Sequence, residues 1–247
     1  MRIDILTLFP NMIESVLGES VTGRALKNNL FELNVTDIRD FTKDKHRRVD
    51  DYPYGGGTGM VMMAEPVYLA YNSVKSEKSK FIYLTPHGKT FNQKMAKELS
   101  KEEHLIFLCG HYEGIDQRVI DTLKPMEISL GDFILTGGEL AVLPVCDSIL
   151  RLLPGVLGNE DSIKEESFED NLLEYPQYTR PEVFLDMKVP DVLLSGHHKN
   201  IEDWRHYESL KTTYIKRPDL INDKELSEED LKSLKNIKKS LANWEKI

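Results

Sequence analysis

The sequence has few cysteines and no long apolar run, and both absences narrow the class of protein. Cys109 and Cys146 are its only cysteines, and neither belongs to a CxxC pair or a metal-spaced set, so we expect no disulfide scaffold. Both lie in apolar runs, which predicts two buried thiols in a reducing compartment. No apolar run approaches the roughly 20 residues that cross a bilayer, and the opening nine residues are too short for a signal peptide. We therefore expect a cytoplasmic protein.

Basic residues are outnumbered by acidic ones. The 247 residues include 32 Lys and Arg against 41 Asp and Glu, a formal net charge of −9. Phosphate binding rewards clustered Lys and Arg, so any nucleic-acid partner must be bound by local patches, and indiscriminate binding is disfavoured. With 40% hydrophobic and 30% charged residues, the composition is otherwise that of an ordinary globular protein.

The first 158 residues alternate short apolar runs with amphipathic stretches, which is typical of an α/β domain. The predicted strands are residues 3–9, 33–38, 81–85, 105–109 and 127–130. The predicted helices are residues 11–28, 66–74, 92–99, 115–123 and 139–153. Strands run into Pro86, Gly110 and Gly131. Because ligands of open α/β sheets gather at the carboxyl edge, these strand ends predict a small-molecule site.

The last third of the chain has a different sequence pattern. Residues 159–177 are acidic and weakly periodic, which predicts a flexible linker, and a helical unit follows over residues 178–247. We expect Asn200 to cap a helix that ends before Pro218. Ser227 and Asp230 have the spacing of a capping box ahead of a final amphipathic helix.

Three glycine-rich segments are candidates for chemistry. Residues 54–60 lack the Lys-Ser/Thr of a Walker loop and the strand–helix context of a dinucleotide fingerprint. The adjoining basic run favours a phosphate-facing loop over a plain turn. Residues 109–118 carry Glu113, a carboxylate suited to a sulfonium or ammonium ligand, although a solvated helix start is the alternative. With residues 128–140, this turn could wrap a flat ring such as adenine.

Further polar residues allow two interpretations each. Arg151 ends an apolar helix, where it either snorkels or stabilises an anion in a cleft. Glu165 and Glu166 are solvated charges by default. His197 and His198 lack further ligands at metal spacing, so we predict no metal site and favour an RNA-facing turn.

In order and spacing, these segments resemble the bacterial tRNA (guanine-N1)-methyltransferase family over nearly the whole chain. The matching pieces are residues 3–10, 46–60, 110–118, 128–139, 151–158, 175–181 and 195–198. The resemblance implies transfer of a methyl group from S-adenosylmethionine to N1 of guanosine 37, next to the anticodon of tRNA. It also implies a homodimer with active sites at the subunit interface, and no membrane or further protein partner.

The resemblance implies a SPOUT fold as well. Residues 1–158 would form a trefoil-knotted α/β methyltransferase domain with a parallel sheet, residues 159–177 a flexible linker, and residues 178–247 a small helical tRNA-binding domain. General topology rules disfavour knots, so this expectation comes from the family alone.

The family's functional residues map onto this chain by position. The general base falls on Glu166, where the family usually has Asp before Ser-Phe, and the charge-stabilising arginine falls on Arg151. The expected donor-binding residues are Tyr83, Leu84, Pro86, Gly110, Tyr112, Glu113, Ser129, Leu130, Gly131, Asp132, Phe133, Ile134, Leu135, Gly137 and Gly138. The nominated tRNA-binding residues are His46, Arg47, Arg48, Gly59, Arg180, His197, His198, Lys199 and Arg205. No sequence signal decides whether Mg²⁺ assists.

Three alternatives stay open. A knotted methyltransferase acting on ribosomal RNA is disfavoured by the 55–59 loop and the 195–198 turn. A non-catalytic RNA-binding protein would not need Arg151, Glu113 and the glycine turns. A Rossmann-type methyltransferase would need a glycine-rich turn after the first strand, where this chain has Phe9-Pro10-Asn11.

Overall fold

The computed structural model describes residues 1–158, 166–222 and 225–244, with side chains through residue 241. The chain divides into two compact units, Met1–Glu160 and Asp161–Ile247. No helix in the described part of the chain is both long and apolar enough to span a bilayer.

The first unit is built on a five-stranded sheet in which every pairing is parallel. Its strands are β1 (Arg2–Thr7), β2 (Glu32–Asp37), β5 (Ser79–Thr90), β6 (His104–Cys109) and β7 (Met126–Ser129), in the order β2-β1-β6-β5-β7. Two short strands, β3 (Asp50–Asp51) and β4 (Val61–Met62), form a separate antiparallel ribbon. The predicted α/β class with a parallel sheet is confirmed.

Helices cover both faces of this sheet. They are α1 (Pro10–Leu17), α2 (Ser20–Lys27), α3 (Ala64–Val74), α4 (Gln93–Leu99), α5 (Gln117–Leu123) and α6 (Gly138–Leu150), with a 3₁₀ turn at Ile38–Phe41. Alternate residues of β6 point to opposite cores: Leu105 and Phe107 pack with α1, α2, α4 and α6, whereas Ile106 and Leu108 pack with α3 and α5. Because both faces are covered, the whole of β6 is buried, as expected of a central parallel strand.

Two predicted elements differ most from the structure. The single helix predicted over residues 11–28 is two helices, because Gly18 ends α1 and the backbone turns at Ser20, whose φ is +55°. Strand β5 continues past the predicted end at Thr85 to Thr90, through a register shift against β7 between Leu84 and Lys89. Both buried thiols are confirmed, since Cys109 and Cys146 are free and buried in the core.

The second unit is mainly helical. It contains a hairpin of β8 (Val183–Phe184) and β9 (Met187–Lys188) and helices α7 (Asp191–Leu194), α8 (His198–Lys216), α9 (Pro218–Asn222) and α10 (Glu228–Trp244). Its small core joins Leu172, Leu210, Leu234 and Ile237. The domain roles and the linker stay predictions, and residues 159–165, including Glu165, lie outside the described residues.

The helix boundaries of this unit test the sequence signals for caps. The capping box is confirmed, because the Ser227 and Asp230 side chains each accept from the other's backbone N–H at 3.1 Å. The cap predicted at Asn200 is wrong. Helix α8 begins at His198 with His197 in the cap position. Because α7 already ends at Leu194, the turn between the two helices comes earlier in the chain than the first apolar residue of α8 suggests.

Candidate active site

A cavity of about 460 Å³ lies at the carboxyl edge of the sheet. Its walls come from residues 83–87 of β5, from residues 110–115 after β6 and from residues 127–131 and 133–138 at and after β7. Since β6, β5 and β7 are parallel neighbours, their ends converge at this edge. The volume lies in the range of small-molecule sites, roughly 300–1,000 Å³.

Most of the residues expected to bind the methyl donor line this one cavity. The lining includes Tyr83, Leu84, Pro86, Gly110, Tyr112, Glu113, Ser129, Leu130, Gly131, Phe133, Ile134, Leu135, Gly137 and Gly138. Asp132 is not among the lining residues. The structure therefore brings three separate segments of the chain together, and donor binding by them stays a prediction.

The glycine-rich loop is docked against the turn that carries Glu113. The backbone N–H of Glu113 donates to the carbonyl of Met60 at 3.0 Å, and that of Met62 donates to the carbonyl of Gly114 at 2.9 Å. Gly59 has φ +92°, and a Cβ there would lie 2.5 Å from both Cγ and Oε1 of Glu113. Glycine at this position is therefore required for the loop to approach the Glu113 side chain.

The tyrosines of the cavity are perturbed by burial. Burial raises the pKa of Tyr83, although a hydrogen bond with Thr85 opposes this effect. Burial also raises the pKa of Tyr112, and the neighbouring Asp50 adds to the shift. Both phenols therefore stay neutral at physiological pH and can donate hydrogen bonds to a ligand.

A group of polar and aromatic residues beside the cavity was missed by the sequence reasoning. Glu139, which is 1% exposed, accepts hydrogen bonds from the hydroxyl of Thr7 at 2.8 Å and the amide of Leu8 at 3.4 Å. Its second oxygen lies 3.5 Å from Nδ1 of His111. The signal that could have found it is an acidic residue in the first turn of a mostly apolar helix.

The two residues assigned to catalysis belong to different units. Arg151 follows the last residue of α6 and is half-buried. Glu166 belongs to the second unit and is half-buried. With Tyr175 and Arg205 it lines a second cavity, of about 230 Å³.

Three of the four nominated tRNA-binding residues of the first unit, His46, Arg47 and Arg48, lie on an exposed turn, whereas Gly59 lies in the glycine-rich loop. Asp44 organises it, because its carboxylate accepts from the guanidinium of Arg48 and from the backbone N–H groups of His46 and Arg48. The guanidinium first, and then these amides, lower the pKa of Asp44 to about 2. Arg47 pairs with Asp37 at 3.2 Å and with Asp40.

Four of the five nominated residues of the second unit, His197, His198, Lys199 and Arg205, belong to α8 or its cap position. Arg180, His197, His198 and Lys199 are exposed, whereas Arg205 is half-buried with its guanidinium 4.8 Å from the ring centre of Tyr175. Within the described residues, no group of three or more His, Cys, Asp and Glu side chains is placed to hold a metal ion.

Comparison with known proteins gives one consistent result. The family model described as tRNA (Guanine-1)-methyltransferase TrmD matches residues 1–223. A protein of Clostridium beijerinckii named tRNA (guanine-N(1)-)-methyltransferase is 60% identical over 237 residues, which cover 96% of this chain and 98% of that protein. A protein of Clostridium botulinum with the same name is 57% identical over 242 residues, 98% of this chain and 100% of its own length.

Proposed function

The chain belongs to the tRNA (guanine-1)-methyltransferase family, and we propose that it transfers the methyl group of S-adenosylmethionine to N1 of guanosine 37 in tRNA. The observation that carries this proposal is the cavity at the carboxyl edge of the sheet, where three segments with the family's motifs meet. The reaction would take place in the cytoplasm.

The chemistry of the cavity fits the donor. Glycine-bracketed turns offer backbone N–H and C=O groups to an adenine edge, and the carboxylates of Glu113 and Glu127 line the wall. Negative charge there would attract the donor's sulfonium. When bound, the donor supplies an electrophilic methyl group.

Two residues of the chain would then act on the guanine. In this proposal Glu166 removes the N1 proton, because a carboxylate within hydrogen-bond reach is a competent general base. Arg151 stabilises the negative charge that develops on O6. Glutamate is one methylene longer than the aspartate usual in the family, so the backbone around Glu166 would lie slightly farther from the guanine ring.

We also propose the family's SPOUT architecture for this chain: a trefoil knot in the first unit, a tRNA-binding role for the second, a flexible linker between them, and a homodimer with active sites at the subunit interface. Exposed apolar side chains at the cavity wall support the dimer. Phe133 is 54% exposed and Ile134 is 81% exposed, and a partner subunit would cover them. Calorimetric or ultracentrifugal measurement of a stable monomer would contradict the dimer.

The direct test is to map the methylated nucleoside. Purified chain is incubated with S-adenosylmethionine and a tRNA transcript carrying guanosine at position 37, and the product is digested and analysed by mass spectrometry. We expect 1-methylguanosine at that position alone, and no product from a transcript with adenosine there. Methylation of ribosomal RNA instead of tRNA would overturn the proposal. So would a failure to bind the donor in calorimetry, which is the result expected of a non-catalytic RNA-binding protein.

A further inference from the structure

The cavity contains few side chains that can carry a positive charge. Of the described residues that line it, only His87 and His111 can carry a positive charge, whereas Glu113 and Glu127 add carboxylates. The proposed donor has a carboxylate of its own in addition to its cationic sulfonium and ammonium groups. A carboxylate that leaves water needs a charged or hydrogen-bonding partner. The phenols and backbone N–H groups of the cavity are neutral donors, and among its described residues only the two histidines could add a positive charge.

His111 is distinguished by the carboxyl group behind its ring. Oε2 of Glu139 lies 3.5 Å from Nδ1 of His111, and the Glu139 side chain is 2% exposed. The other oxygen of Glu139 is held by the Thr7 hydroxyl and the Leu8 amide, at the start of α6, where the helix dipole favours an anion. These partners fix the carboxyl group of Glu139 beside the imidazole.

The imidazole of His111 is held on its other sides as well. Its ring packs against the rings of Phe9 and Tyr112, with ring centres 5.0 Å apart in both pairs. A Cβ on Gly137 would lie 2.5 Å from Nδ1 of His111 and from Oε2 of Glu139, so glycine is what allows the two to approach. With Nδ1 facing Glu139, Nε2 is the nitrogen left to donate to a ligand.

We propose that His111, positioned by Glu139, binds an anionic oxygen in the cavity: the carboxylate of the methyl donor or a phosphate of the RNA. This inference rests on the proposed function, because it takes the cavity to be the donor site. Glu139 is a positioning residue here, since it contacts His111 and not the ligand.

The test compares two ligands by calorimetry on the full chain: S-adenosylhomocysteine and its decarboxylated analogue. If the anion is the donor's carboxylate, the wild-type chain prefers the carboxylate-bearing ligand at least about tenfold, the usual worth of a charged hydrogen bond. His111→Gln removes most of this preference, His111→Arg restores it, and His87→Gln retains it. Glu139→Gln reduces the preference while leaving the affinity for the decarboxylated analogue unchanged, whereas a merely structural role would weaken the binding of both ligands.

The second source of the anion gives a different pattern. If His111 binds a phosphate, His111→Gln leaves the ligand preference unchanged, raises KM for tRNA, and lowers the salt dependence of tRNA binding by about one ion. The inference is overturned if His111→Gln changes neither measurement, or if only His87→Gln abolishes the preference. Failure of the wild-type chain to bind S-adenosylhomocysteine would instead overturn the donor assignment itself, together with this inference.

Discussion

At the scale of single residues, the proposed chemistry depends most on Glu166. The substitution Glu166→Gln keeps the length of the side chain but removes its ability to take a proton. We expect kcat to fall by about 10²- to 10⁴-fold with little change in KM for tRNA, measured by single-turnover methylation. Glu169→Gln, three residues away, is the matched control and should keep wild-type turnover. Near-parental turnover of Glu166→Gln, with turnover abolished in Arg151→Ala, would remove Glu166 from the role of base.

The contact between Gly59 and Glu113 gives a second prediction for single residues. Gly59→Ala places a methyl group 2.5 Å from the Glu113 side chain, so we expect Glu113 to be displaced and the Kd for S-adenosylmethionine, whose sulfonium this carboxylate would attract, to rise several-fold. Gly55→Ala is the control, because Gly55 also has a positive φ of +90° but a Cβ there meets nothing within 4 Å. Both variants carry backbone strain of about 1–2 kcal/mol. Equal effects of the two on donor affinity would show that strain alone is responsible.

These residues also show how far sequence reasoning reaches at this scale. Residues placed by a motif, such as Tyr112 and Glu113, were predicted together and lie on one cavity. The Thr7–Glu139 hydrogen bond was not predicted, because its partners are 132 positions apart and no local pattern of the sequence pairs them. Burial of a carboxylate depends on its hydrogen-bond donors, and those become visible only when the chain is folded.

At the scale of elements, local signals predicted the existence of helices and strands better than their ends. Strand β6 was predicted almost to the residue, because an unbroken apolar run must be buried on both faces. The end of β5 was not, since residues after Thr85 resume pairing with β7 only beyond a register shift. A bulge of this kind depends on the neighbouring strand, which is distant in sequence.

The capping box of α10 allows a stability prediction for one element. Ser227→Ala removes the side chain that accepts from the Asp230 amide, so we expect a loss of about 1 kcal/mol from the free energy of unfolding of the second unit. This loss is measured by urea denaturation in which hydrogen exchange of the second unit reports its unfolding. Ser195→Ala, at the end of a different helix, serves as the control and should change stability less.

The same cap predicts a dependence on pH. Burial disfavours the charged form of Asp230, but hydrogen bonds from His206 and Ser227 outweigh it and lower the pKa of this carboxyl below its usual 3.8. A carboxyl group whose pKa is lowered in the folded state stabilises that state above pH ~4. This contribution to stability is lost as the pH falls through the lowered pKa. The stability difference between the wild-type chain and Asp230→Asn should therefore shrink below pH ~4. A difference that stays constant down to pH ~2 would contradict this assignment.

At the scale of the whole molecule, the sheet order β2-β1-β6-β5-β7 was beyond prediction from local pattern. It depends on pairs such as Arg2 with His104, which join distant parts of the chain. At the amino ends of these two strands, β1 and β6, the buried carboxylate of Asp4 accepts a hydrogen bond from the guanidinium of Arg2 at 2.7 Å and lies 2.6 Å from Nε2 of His104. The class of fold follows from periodicity, whereas the order of strands follows from such long-range contacts.

The net charge of −9 leads to the last prediction, which concerns tRNA binding. A chain repelled overall by phosphate must bind through basic groups that are not already neutralised, because each phosphate contact releases counterions. Arg47 is paired with Asp37 and Asp40, whereas exposed Lys199 forms no ion pair with another residue of the described ranges 1–158, 166–222 and 225–241. In filter binding at several salt concentrations, Lys199→Gln should therefore reduce the slope of log K against log salt by about one unit, and Arg47→Gln by less. The opposite order would mean that the 44–48 turn releases its acidic partners when tRNA binds, so that the ion pairs of the free chain mask its principal phosphate contacts.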